Sequence, residues 1–437
     1  MNEIVSNLLV YGSLPEDSIL WQLADICEKL KEGTETKAAL RTRVFHQVKN
    51  LLTVATDYAF DKNLWHNYLT FLLITNENPF SLVCEKMGAQ EGTVNNFVTH
   101  DFDMFKELFD YDFSWLEKEL SIDCFTQLTH YQAIRKKELM YNKNVSEKVR
   151  NLSEKLETAE SGADFFQYVT EFYKDYGVGM FGLNKAFRIA ENKDGSIRFL
   201  PINNMDTVML DDLIGYELQK KKLVENTQAF CDGKAANNVL LFGDSGTGKS
   251  TSIKAIVNQF YPQGLRMIEI YKHQFKDLST IIAQIKNRNY KFIIYMDDLS
   301  FEEFEIEYKF LKAVIEGGVE TKPDNVLIYA TSNRRHLIKE TWKDREDMEH
   351  SEDLHRSDTM EEKLSLVNRF GLSIFYAKPN KEGFNEMAVA LARRAGITPE
   401  VMTDEEICYE ANRFEMRGGG LSGRTAQQFA NYLLTIK

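Results

Sequence analysis

Apolar residues recur at three- and four-residue steps through most of the first two hundred positions. Leu40, Val44, Val48, Leu51 and Ala55 fall on one face of a helix. Asn78–Pro79 separates two further helical stretches, because proline disfavours helix in the residue before it. Aromatics are dense from Phe97 to Trp115, which reads as packing between helices. Ser146–Glu160 is polar with a helical period and reads most simply as a solvated helix. Ala186–Glu191 and Ser196–Ile202 then alternate around Asn192–Gly195 as a β-hairpin would. From Val239 the pattern changes. The short apolar runs Val239–Phe242, Arg266–Ile270, Phe292–Met296, Val326–Ala330 and Leu372–Tyr376 alternate with helical segments, which predicts an α/β fold with a parallel five-stranded sheet and crossover helices. After Pro379 the chain reads as helical to Lys437. The expected domains are therefore a mainly helical one over 1–203 that ends in the hairpin, an α/β one over 204–380 and a small helical lid over 381–437.

Composition changes this picture little. At 437 residues, 43% of them hydrophobic and 27% charged, the chain resembles an ordinary globular protein of two or three domains. A net charge of −13 argues against chain-wide attraction to nucleic acid or an anionic membrane. The longest apolar runs, such as Tyr68–Ile74, fall well short of the roughly 20 residues a membrane helix needs. The first residues lack the charged start and small-residue cleavage site of a signal peptide. Five scattered cysteines with no C-x-x-C pair read as reduced, mostly buried thiols of a cytoplasmic protein. Gly177, Gly179 and Gly182 form a literal G-x-G-x-x-G, but a helical stretch precedes them and a hairpin follows. A dinucleotide site needs a strand before and a helix after, so that reading fails.

The chemistry begins at Gly243-Asp244-Ser245-Gly246-Thr247-Gly248-Lys249-Ser250, a match to G-x-x-x-x-G-K-[ST]. Glycines let backbone N–H groups curl around phosphate oxygens without Cβ clashes, and a helix N-terminus adds partial positive charge. The apolar strand Val239–Phe242 runs into this loop and a helix follows from Thr251, the context such a loop requires. Lys249 is expected to reach the β- and γ-phosphates of ATP, and the Ser250 hydroxyl to ligate Mg²⁺. A second element supports the first. Phe292–Met296 ends in Asp297-Asp298, and two carboxylates at the end of a buried strand are costly without a cation or hydrogen bonds. Asp297 fits the metal-associated acid and Asp298 the acid that polarises water.

The later motifs resemble those of the AAA+ ATPases. Tyr329-Ala-Thr-Ser-Asn333 is similar to their sensor-one segment, in which an Asn helps place the attacking water. Val367-Asn-Arg369-Phe370-Gly371 resembles the box that lends an arginine finger to a neighbouring subunit. Leu421-Ser-Gly-Arg424 looks like the sensor-two arginine that opens a lid helix, and Asp212-Leu-Ile214-Gly215-Tyr-Glu217 like the linker that packs on adenine. The stretch Asp211–Lys437 thus looks like an AAA+ module. Asn78-Pro-Phe-Ser-Leu82, Glu316-Gly-Gly318, Asp324–His336 and Glu362-Lys-Leu-Ser365 narrow the resemblance to the bacterial predicted AAA+ ATPases of unknown function 815, over most of the chain.

This resemblance implies ATP and Mg²⁺ as ligands and a homo-oligomer that hydrolyses ATP between subunits to act on a protein or nucleic-acid client. It sets Asp298, Asn333, Arg369 and Arg424 as the catalytic candidates. Two departures qualify it. Asp298 stands where AAA+ motors usually carry the longer Glu, and Tyr271–Phe275 shows no aromatic-hydrophobic-Gly pore loop. Both favour the alternative of a slowly hydrolysing switch, loader or scaffold; a small-molecule kinase fits less well, because no acceptor pocket is evident. Among rival readings, Arg369 and Arg424 could be structural, and Arg334 and Arg335 are rival arginines that a surface loop explains equally well. His350 and His355 lie in the charged run Trp342–Lys363, which reads as a solvated, mobile loop.

Overall fold

The structure, a computed structural model, describes residues 1–134, 142–203, 205–301, 307–316, 323–333, 369–416, 418 and 420–435. Arg334, Arg335, His350, His355, the run Trp342–Lys363 and the phrases Gly317-Gly318 and Glu362–Ser365 lie outside the described residues. The chain divides into two compact units, Met1–Asn184 and Lys185–Lys437.

The first unit is helical. In the helix Lys37–Tyr58, Leu40, Val44, Leu51 and Ala55 are all buried, so the predicted face is the buried one. Pro79 sits in the first turn of the helix Pro79–Met87, and Asn78 caps it by accepting from the Ser81 N–H. The aromatic stretch is core, with Phe102, Phe105, Phe109 and Phe113 buried, although Phe97 remains half exposed. Phe113 stacks on Phe125 at 4.1 Å between ring centres and meets the Trp65 ring edge-on at 5.2 Å. The helix Lys143–Glu157, expected to be solvated, instead buries Val145, Val149, Leu152 and Leu156 completely or nearly so. Its many Lys and Glu residues hid a four-residue apolar stripe.

The fully buried Asp101 ties down the N-terminal segment: Oδ1 accepts from the Leu9 N–H at 2.9 Å, and Oδ2 from Val10 at 2.7 Å and Tyr11 at 2.9 Å. A buried carboxylate is tolerated only when its oxygens are so satisfied.

The second unit carries a sheet of seven strands: β1 Ala186–Glu191, β2 Ile197–Pro201, β3 Val239–Gly243, β4 Leu265–Glu269, β5 Lys291–Met296, β6 Val326–Ser332 and β7 Leu372–Tyr376. Their spatial order is β2-β1-β4-β5-β6-β3-β7. The five predicted strands are all present and pair in parallel. The count of five was short by two, because β1 pairs in parallel with β4 and carries β2 antiparallel beside it. The hairpin expected to close the N-terminal domain near residue 203 is thus part of this sheet, and the compact units divide at 184/185. The open edge of β4 offers unpaired N–H and C=O groups that a nearby hairpin can satisfy, which periodicity does not reveal.

The strand β6 is buried along its whole length, as parallel strands covered on both faces are. Beyond β7, the helices Lys381–Arg394, Asp404–Glu415 and Gly423–Thr435 enclose a smaller core of Phe384, Ala388, Ile407, Ala411, Ala426 and Phe429. No helix among the described residues is long and apolar enough to cross a membrane.

Asp101→Ala leaves three N–H donors without their acceptor, and bonds to a charged group are worth about 1.5–3 kcal/mol each. It should destabilise the first unit by about 3 kcal/mol or more, and Asp101→Asn by less. Hydrogen exchange at Leu9, Val10 and Tyr11 should accelerate in the same order; unchanged exchange in the alanine variant would refute the anchoring role.

Candidate functional site

Parallel strands leave their C-terminal ends as one row of loops, where open α/β sheets hold ligands. The loop after β3, the strand beside the β7 edge, turns through Gly243, Gly246 and Gly248, with φ of +131°, +76° and +91°, before the helix Lys249–Phe260 begins. A Cβ on Gly243 would overlap the Tyr376 carbonyl oxygen, and one on Gly246 would press on Ser422 and Arg424. The glycines therefore serve a close approach as well as the turn.

Lys249 opens the helix with only 6% of its surface exposed. Its ammonium donates to the carbonyls of Gly243 at 2.9 Å and Asp244 at 2.6 Å, and to Asn333 Oδ1 at 3.0 Å. Burial pushes its pKa below the usual lysine value, against the opposing pull of Asp244, Asp298 and Asp297. Thr247 closes the loop by donating to the Asp244 carbonyl at 2.8 Å, and the Asp244 carboxylate accepts from the Lys378 N–H at 2.9 Å.

The two acids follow β5. Ser250 Oγ donates to Asp297 Oδ1 at 2.7 Å, and Thr331 Oγ1 donates to the same oxygen at 2.6 Å. Burial works to raise the pKa of Asp297, but these bonds outweigh it and hold the carboxyl below its usual range. Tyr295 lies buried next to them, which pushes its phenol well above the usual value. Asp298 adopts φ of +50°, its N–H donating to Thr331 Oγ1 at 2.9 Å and its Oδ1 accepting from Asn333 Nδ2 at 2.8 Å. Asn333 thus bridges Lys249 and Asp298.

Lys249, Ser250, Asp297, Asp298, Thr331 and Asn333 line one cleft of about 590 Å³, together with Ser245, Gly246, Thr247, Gly248 and Thr251. Arg424, in the first turn of the helix Gly423–Thr435, lines it too, and its N–H donates to the Gly246 carbonyl at 3.1 Å. Ile214 lines the far end, and Gly215, with φ of +78°, packs beside Met387. Tyr216 holds this linker in place: its hydroxyl donates to the Ala377 carbonyl at 2.9 Å and its ring lies 5.1 Å from that of Tyr376.

Gly243, Asp244 and Gly215 adjoin the cleft without lining it, and one catalytic candidate stands apart. Arg369 precedes β7 and does not line the cleft of its own chain. The sequence reading also missed Thr331, Leu213, Met387, Leu391, Gln427 and Gln428, all of which line the cleft. Thr331 sat within the quoted sensor-like phrase, two residues before Asn333, and its strand period could have flagged it as sharing that face.

The model of a family described as "Protein of unknown function (DUF815)" matches residues 183–436. No curated protein matches the chain. Among solved structures, PCH-2 of C. elegans is similar at 18% identity with a TM-score of 0.33, over 52% of this chain and 65% of that one, less than two thirds of its length. The T158V variant of Thermotoga maritima RuvB is similar at 14% identity with a TM-score of 0.32, over 52% of this chain and 71% of that one.

Two glycines with positive φ separate strain from crowding. Gly264, with φ of +89°, has open space around a prospective Cβ, so Gly264→Ala should cost only the left-handed strain of about 1–2 kcal/mol. Gly243→Ala adds an overlap with β7 and should cost about 1–3 kcal/mol more. Urea denaturation of the two variants checks this, and equal losses would contradict the close approach.

Proposed function

The chain belongs to the DUF815 family, and from that premise and the cleft's geometry we propose that it is an ATP-binding AAA+ ATPase. Hydrolysis takes place at a site completed by a second copy of the chain, and the nucleotide state moves the helical lid to act on a protein or nucleic-acid partner. The observation that carries this reading is the single hydrogen-bonded array of Lys249, Asn333, Asp298, Thr331, Asp297 and Ser250 above a glycine loop.

Each member has a role that its contacts support. Lys249 exchanges the carbonyls of its own loop for the β- and γ-phosphate oxygens of ATP, and the loop N–H groups at the helix start hold the remaining oxygens. Ser250 and Asp297 offer the hydroxyl and carboxylate oxygens that suit a hard cation, and their 2.7 Å contact brings them together. Mg²⁺ bound there would neutralise charge on the phosphates. Asp298 and Asn333 orient the attacking water, Arg424 senses the phosphates from the lid, and Ile214 and Gly215 pack on the base. Asp211, Asp212 and Leu213 precede them in the same linker.

Arg369 completes the site of a neighbour. It lies beyond the N-terminal end of β7, while Tyr376 at the other end pairs with Gly243 of the loop. The five extended residues of β7 alone span roughly 16 Å, farther than an arginine side chain reaches back. The alternative, a slowly hydrolysing switch or scaffold, is favoured by one feature: the short Asp298 carboxylate is already engaged by Asn333.

Asp298→Asn should leave ATP binding nearly intact and slow turnover, whereas Asp297→Asn should weaken the Mg²⁺ dependence of binding. Calorimetry with and without Mg²⁺, paired with a turnover assay, separates them; identical phenotypes would remove the division of labour.

Arg369→Ala should bind ATP normally yet turn it over about 10³–10⁵-fold more slowly, the worth of an added arginine at the transferring phosphate. Lys249→Ala should lose tight binding. Mixing the two variants should restore activity, because a mixed interface pairs an intact loop with an intact finger. Turnover per subunit should rise with protein concentration. Full activity in Arg369→Ala, or flat turnover from a monomeric chain, would overturn the inter-subunit site.

A further inference from the structure

We propose that Thr331 is a positioning residue that sets both acids of the site through one hydroxyl group. The inference rests on reading the cleft as a nucleotide and metal site. Thr331 lies on β6, between β5 and β3, with only 2% of its surface exposed. Three consecutive residues after β5 attach to it. Its Oγ1 donates to Asp297 Oδ1 at 2.6 Å and accepts from the Asp298 N–H at 2.9 Å, and its carbonyl accepts from the Leu299 N–H at 2.6 Å.

The hydroxyl has one proton and two lone pairs. With Asp298 N–H pointing at a lone pair, the proton is directed to Asp297, so the two bonds orient each other. The first shares Asp297 Oδ1 with the Ser250 hydroxyl, and so sets the carboxylate that faces the metal-binding serine. The second holds Asp298 at φ of +50°, a left-handed conformation that a non-glycine residue keeps only when its surroundings hold it there. That conformation accompanies the reach of the Asp298 carboxylate to Asn333 at 2.8 Å. Where a longer acid would extend into the cleft by itself, the shorter Asp298 depends on its backbone for placement.

A purely structural threonine would fill space and satisfy the turn. A positioning threonine must also alter metal dependence when its hydroxyl is lost. Thr331→Val keeps the shape and removes the hydroxyl; Thr331→Ser keeps the hydroxyl and removes a methyl group. Calorimetry of ADP binding by the full chain, in EDTA and across a Mg²⁺ titration, reads metal coupling apart from turnover.

In EDTA the valine variant should bind ADP as wild type does. It should need about 10-fold more Mg²⁺ to reach the half-maximal metal effect, the scale seen when an outer-shell partner is lost. Its turnover should fall as well, and the serine variant should stay close to wild type in both. Thr331→Ala carries the same expectation should the valine variant fold poorly. An unchanged Mg²⁺ midpoint in the valine or alanine variant, or equal loss in the serine variant, overturns the proposal while leaving the nucleotide reading intact. Wild-type protein that neither binds ADP nor hydrolyses ATP removes the nucleotide reading itself, and this inference with it.

Discussion

A lysine ammonium buried at the rim of an apolar sheet is costly unless acceptors surround it, and the second compact unit is arranged around that demand. Lys249 sits at the start of a helix whose own dipole disfavours a cation there. Two loop carbonyls and the Asn333 side chain offset this locally, and Asp244, Asp297 and Asp298 act on it electrostatically. Such an arrangement stabilises little in isolation. On the proposed reading, its use is to hold a cation where an anionic ligand would replace the carbonyls that satisfy it.

The geometry of the loop follows from the same demand. For the Gly243 and Asp244 carbonyls to turn toward Lys249, the backbone must adopt positive φ and run close against β7. The end of β7 is secured in turn. The Asp244 carboxylate accepts from the Lys378 N–H, the Tyr216 hydroxyl donates to the Ala377 carbonyl, and the Tyr376 hydroxyl donates to Ser252 Oγ at 3.0 Å. The linker, the loop, the helix Lys249–Phe260 and the final strand therefore share contacts within one unit. Arg424, in the helix Gly423–Thr435, is tied to the loop through its backbone bond to Gly246.

The polar groups of the cleft satisfy one another. Lys249 binds Asn333, Asn333 binds Asp298, and Thr331 joins Asp298 to Asp297 and so to Ser250. A ligand entering this cleft must offer better partners than the array already provides, as the triphosphate and divalent cation of the proposed function would. Binding and rearrangement are then one event, because no member can change partner without leaving its neighbour short of a bond.

Local pattern alone determined much of this protein. Alternating apolar runs identified all five parallel strands from β3 to β7, and the spacing of glycines, Lys249 and Ser250 located the loop between strand and helix. The apolar strand that ends in Asp297-Asp298 located the acids. Each of these is a matter of neighbours in sequence, so a period or a spacing suffices to read it. Tertiary structure decided the rest. The hairpin of β1 and β2 joined the sheet because β4 offered an open edge, and Lys143–Glu157 buried its stripe because other helices covered it. Thr331 became the hub of the two acids only through parallel register, which sets β6 beside the end of β5. Arg369 fell at the opposite end of the strands from its own loop for the same reason, since β7 runs parallel to β3 and only its C-terminal end meets the loop. A sequence carries such long-range pairings only implicitly, because hydrogen bonds between strands depend on which edges meet and not on the order in which the chain makes them.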